Sequence, residues 1–162
     1  MNYGYDFNTD QLLSLSSEVD GVSNVNRFKY KRNLLESIEH DGFKASYTHD
    51  KQGRRLETKV NDETYLSTEY SDNFTLQEVG VYYGSEIKHT YNNGHVSRSI
   101  SDIDGKLKRV YSDSNYKTIS YDDRDNVTNI VSNDSYINKS FTYDEYDNVL
   151  TETNSSRYSK SY

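Results

Sequence analysis

The chain has 162 residues with a net charge of −7, 32% hydrophobic residues and a mean hydropathy of −1.03. That acidity speaks against nucleic-acid backbones and anionic membranes as partners, and no apolar run approaches the roughly 18 residues of a membrane-crossing helix. With no Cys, a disulfide framework and a Cys-based zinc site are excluded. The chain carries 17 Tyr and no Pro, the reverse of a disordered composition. Tyr favours strands and offers an apolar ring with a hydroxyl at its edge. The composition predicts an all-β protein whose apolar layer is built largely from tyrosine.

From the N-terminus, which is polar and lacks an apolar signal core, one phrase recurs: an aromatic, any residue, Tyr, Asp, a short polar turn, then an aliphatic. YGYDFNTDQL carries it with Tyr3, Tyr5 and Asp6, and FKYKRNLL with Phe28 and Tyr30. Leu34, Leu35 and Ile38 have helical spacing, but the register of the phrase favours a hairpin over 26–40. YTHDKQGRRL places Tyr47, then His49 in the second aromatic slot, then Asp50, Gly53 and Leu56. TEYSDNFTL holds Tyr70 and Leu76, and VGVYYG puts Tyr82 and Tyr83 on opposite faces of a strand, which makes them candidates for surface recognition. HTYNNGHV contributes Tyr91, Gly94 and Val96, and SDIDGKLKRVYS reads as an extra or degenerate hairpin. ISYDDRDNV and FTYDEYDNV close the series with Ile119, Tyr121, Asp122 and Val127, then Phe141, Tyr143, Asp144 and Val149.

The anchors are therefore Tyr5, Tyr30, His49, Tyr70, Tyr91, Tyr121 and Tyr143, spaced by 19 to 25 residues except for a gap of 30 before Tyr121. Asp-Gly turn signals at 20–21, 41–42 and 104–105 fall between repeats. The expectation is tandem β-hairpins of about twenty residues, about seven repeats over 1–162, stacked into a long, twisted or spiralling antiparallel sheet. Tyr162 falls 19 residues after Tyr143, where another repeat would begin, so the chain reads as an excerpt of a longer repeat protein.

Little in the residues points to chemistry. His40, His49, His89 and His95 do not have metal-ligand spacing. The acidic runs at 102–104, 122–125 and 144–147 do not match calcium loops, and turn capping is their expected role. Neither a nucleophile elbow nor a phosphate-cradling glycine loop is present. The reading is a non-enzyme with no cofactor and no metal.

Tyr-Asp, a short turn that includes Gly53-Arg54 in one copy, and an aliphatic, repeated about every twenty residues, resembles the YD repeats, also called RHS repeats. His49 in place of Tyr, and Asp or Asn where the family often has Gly, are local departures. The resemblance implies a structural β-shell of the kind found in bacterial wall-associated and polymorphic toxins, insecticidal toxin complexes and teneurins. It implies a secreted or cell-surface bacterial protein. The implied partners are neighbouring repeats or an encapsulated C-terminal effector of the same parent chain. The family's proline-containing closing segment is not seen. An alternative expectation is a carbohydrate- or protein-binding module using exposed Tyr rows. The free strand edges also predict edge-to-edge self-association.

Overall fold

A computed structural model describes residues 1–77, 81–134, 138–154 and 158–161, the side chains of 81–83 and 158–160 excepted. The fold is all-β. Fifteen strands lie among the described residues and follow one another in the sheet in chain order, without a crossover. No helix there is long and apolar enough to cross a membrane.

The chain divides into two compact units. The first contains β1 (Asn2–Tyr5), β2 (Leu12–Val19), β3 (Val22–Lys31), β4 (Leu34–His40), β5 (Phe43–His49), β6 (Arg55–Val60) and the first part of β7 (Glu63–Leu76). Residues 26–40 form the β3–β4 hairpin rather than a helix. Tight two-residue turns close several hairpins. Asp20-Gly21 (φ 52° and 77°), Asp41-Gly42 (37° and 80°) and Asn61-Asp62 (49° and 68°) all place both central residues at positive φ. That is the type I′ geometry whose twist matches the flanking strands.

The two faces of this unit differ. Phe28, Ile38, Ala45 and Val60 lie in one cross-strand row. Alternation sends Ser14, Arg27, Glu39 and Lys44 to the other face as one row, and Lys29, Ser37, Ser46 and Lys59 as the next. On that polar face Lys29 pairs with Glu39 at 3.1 Å and Thr64 donates to Glu57 at 2.7 Å. Ala45 and Ser37, near the middle of the sheet, are buried.

The second unit holds the rest of β7 with β8 (Val81–Tyr91, whose last residue belongs to the first unit), β9 (Val96–Asp102), β10 (Leu107–Ser112), β11 (Asn115–Tyr121), β12 (Val127–Ser132), β13 (Lys139–Tyr143), β14 (Val149–Asn154) and β15 (Tyr158–Ser161). Its best-buried side chain is Ile100, fully enclosed and paired across strands with Glu86 and Arg109. The adjoining row runs Lys88, Arg98, Tyr111, Tyr116. There the guanidinium of Arg98 lies 4.8 Å from the Tyr111 ring centre, and that of Arg109 lies 4.4 Å from the Tyr116 ring centre. Arg109 is buried as well, donating to the Thr118 hydroxyl at 3.1 Å and to the Tyr111 hydroxyl at 3.1 Å. Arg98 is in turn ion-paired with Glu86. Flat cations stacked on rings replace the aliphatic layer of an ordinary sheet.

Two expectations about turns are corrected. No turn follows Tyr70, because β7 runs unbroken from Glu63 to Leu76. The sequence SDNF can turn but is also compatible with extension, and here strand pairing prevails. The turn after Tyr91 closes β8 onto β9, so alternation places it at the end of the strands opposite the Asp102 loop that closes β9 onto β10. SDIDGKLKRVYS is thus an Asp-capped hairpin of the same kind as those at 122 and 144, with Ser101 in the anchor slot. Gly105 belongs to that loop rather than to a turn between repeats.

Candidate functional site

The anchors Tyr5, Tyr30, His49, Tyr91, Tyr121 and Tyr143 sit at two rows of hairpin connections, whereas Tyr70 lies inside β7. The first row contains the loops that follow the anchors. In four of these loops the Asp carboxylate accepts main-chain N–H groups two and four residues further on: Asp50 from Gln52 and Arg54 (both 2.9 Å), Asp102 from Asp104 and Lys106 (3.1 and 2.9 Å), Asp122 from Arg124 and Asn126 (3.0 and 2.9 Å), and Asp144 from Tyr146 and Asn148 (2.8 and 2.9 Å). Asp6 makes a longer version, accepting from Asn8 and Thr9 at 2.9 Å. The fourth residue of each five-residue loop has positive φ: Gly53 at 85°, Gly105 at 81°, Asp125 at 71° and Asp147 at 66°. Beside the anchors Tyr5, Tyr30, His49, Tyr121 and Tyr143 the register shifts by one residue, forming a bulge.

The carboxylates titrate accordingly. Asp144 is lowered by the Asn148 side-chain amide and then its N–H, and Asp6 by the N–H of Asn8 and the Thr9 hydroxyl. At Asp50, Asp102 and Asp122 partial burial pushes upward. The donors outweigh it, led by the Arg54 side chain at Asp50, the Lys106 N–H at Asp102 and the Asn126 N–H at Asp122, and all three end up lowered.

The anchor tyrosines do something different. Tyr121 on β11 donates its hydroxyl to the carbonyl of Leu107 on β10 at 2.8 Å, and Tyr143 on β13 donates to Val127 on β12 at 2.7 Å. Each acceptor is the fifth residue after the loop Asp of the preceding hairpin. The ring spans two hairpins and its polar end ties them together. Burial, followed by the nearby Asp102 charge, raises the Tyr121 hydroxyl above its ordinary value. Loop-to-loop contacts extend the join: Lys106 pairs with Asp125, Arg124 donates to the carbonyls of Asp144 (2.8 Å) and Glu145 (2.9 Å), and Asn126 donates to Asp147 at 2.7 Å.

The second row was not legible in the anchor phrase. Asn61 donates its N–H to the Lys44 carbonyl at 2.8 Å, while its side-chain oxygen accepts the Lys44 N–H at 2.8 Å. Asp113 makes the same clasp with Val96 (2.8 and 2.9 Å), and Asn133 makes it with Tyr116 (3.1 and 2.9 Å). All three clasps span 17 residues. The available signal was an Asn or Asp immediately after a strand. Asn92, beside Tyr91, donates its N–H to the Tyr65 carbonyl at 3.0 Å, so Tyr91 belongs to this row. Asp113 is held low by the Val96 N–H and then by the His95 ring, 2.8 Å away.

His49 closes β5 in a half-buried position, and Tyr30 is next to last in β3, beside its bulge and without an Asp after it. Tyr5 is 59% exposed and stacks on Tyr3, with ring centres 6.5 Å apart. The side chains of Tyr82 and Tyr83, and Tyr162 entirely, lie outside the described residues. Among those residues no group of three or more His, Asp or Glu side chains is placed to hold a metal ion. No family model matches the chain, and no curated protein matches it.

Two outcomes are expected. Tyr143→Phe keeps the ring and loses one hydrogen bond, so it should cost about 1 kcal/mol; Tyr143→Ala should cost about 2–3 kcal/mol, because the ring is only partly buried. Equal losses in urea unfolding would show that the hydroxyl carries the whole effect. The lowered loop aspartates contribute stability that is complete above their ordinary value of 3.8 and is lost as pH falls through their lower folded values. The unfolding midpoint should therefore decline below about pH 4, and Asp144→Asn, which can keep the cap, should flatten that decline. An unchanged acid profile in the variant would remove Asp144 from the account.

Proposed function

We propose that the chain is a non-catalytic scaffold, one stretch of a YD- or RHS-type β-shell within a large secreted or cell-surface bacterial protein. The observation that supports it most is the repeated joining of consecutive hairpins: the tyrosine-to-carbonyl bond and the 17-residue clasp recur with the same donors and acceptors. Such bonds allow a sheet to be lengthened by whole hairpins without redesigning a core. On this reading the partners are neighbouring repeats or an enclosed effector of the same parent chain. The test is the coding sequence to either side. In-frame continuation into further Tyr-Asp hairpins and a variable C-terminal domain is expected; stop codons flanking the segment on both sides would sink the proposal.

A second reading, recognition of glycans or proteins by exposed tyrosines, draws on Tyr3 and Tyr5, stacked and 56% and 59% exposed. The scaffold reading expects tyrosine fluorescence to stay constant when cell-wall glycans are added. A saturable change, abolished by Tyr3→Ser, would put recognition ahead.

A further inference from the structure

The hairpin β3–β4 breaks the pattern of its neighbours. After Tyr30 the position that holds Asp at 6, 50, 122 and 144 holds Lys31, and the loop shrinks to the two residues Arg32-Asn33. Arg32 has φ of 52°. Every other non-glycine residue at positive φ among those described is Asp or Asn, the side chains that tolerate this conformation. Arginine lacks the short polar side chain that eases this conformation. Backbone strain kept at such a position points to a role for the side chain.

The shortened turn stands beside a hollow of about 280 Å³ whose lining includes Lys31, Arg32, Glu36, Tyr47, His49 and Asp50. The lining holds two cations, Lys31 and Arg32, and two carboxylates, Glu36 and Asp50. Asp50 is already engaged by the Arg54 side chain at 2.7 Å and by two main-chain N–H groups. Lys31 and Arg32 are exposed and have no side-chain partner among the described residues. Glu36 is the one remaining carboxylate of the lining, so the hollow is left with an excess of one positive charge in a chain of net charge −7.

We propose that this hollow binds a small oxyanion, the carboxylate or phosphate of a molecule about one sugar ring in size, with the Arg32 guanidinium and the Lys31 ammonium as the positive contacts. The guanidinium fork suits either oxyanion, and the ammonium adds a point charge. The volume lies at the small end of ligand pockets, which limits the body that carries the anion. The inference stands on the geometry of the first unit and does not depend on the scaffold reading.

The experiment is calorimetric titration of the whole chain with glucuronate, glucose 6-phosphate and glucose at millimolar concentration. Binding of at least one acidic sugar and not of glucose is expected, and which of the two binds identifies carboxylate or phosphate as the source. Added salt should weaken it. Arg32→Asn suits the positive φ, so it should leave the melting temperature unchanged or raised while weakening binding by roughly tenfold or more. Lys31→Ala should weaken binding as well, without touching the strained position. No binding of either acid, equal binding of glucose, or undiminished binding by both variants would overturn the proposal.

Discussion

Main-chain pairing between consecutive strands is the constraint on which everything else rests. Within each unit the described strands form one sheet, so the unit itself supplies no second layer of secondary structure for its side chains to bury against. Among the described hydrophobic residues only Ala45 and Ile100 are buried. Hydrophobic burial, the main driving force for folding in most domains, is therefore small here, and hydrogen bonds and partly buried rings must hold successive hairpins in register. That explains why the recurring phrase is Tyr-Asp rather than a run of aliphatics. The Asp satisfies the loop that a bulged strand leaves open, and the Tyr ties that strand to the one before it.

The same constraint accounts for the choice of core residues in the second unit. A guanidinium or a phenol can cover apolar surface while keeping its polar atoms bonded to a neighbour. Arg109 covers Tyr116 and, while buried, donates to the Thr118 and Tyr111 hydroxyls. Aliphatic side chains in these places would leave a thin sheet with sticky faces on both sides.

Much of this was legible in the sequence, for identifiable reasons. Strand content followed from tyrosine and from the absence of proline, and the Asp50, Asp122 and Asp144 loops followed from local turn chemistry, which depends on a few adjacent residues. What could not be read was direction. Tyr91-Asn-Asn-Gly and Ser101-Asp-Ile-Asp-Gly both look like turns after an anchor, but alternation of antiparallel strands sends them to opposite ends, and one long strand at 63–76 resets the count. The 17-residue clasps were invisible because their only mark is a single Asn or Asp whose partner lies in another hairpin. The Lys31-Arg32 departure was visible as a missing Asp, but the hollow beside it depends on how β5 lies against β4.

Strand order that equals chain order also governs how the molecule is assembled. Each strand finds its partner within a few residues of its own end, so loop closure costs little entropy and no strand waits for a distant one. A chain of this kind can zip up hairpin by hairpin as it leaves a ribosome, with each new pair templated on the edge just completed.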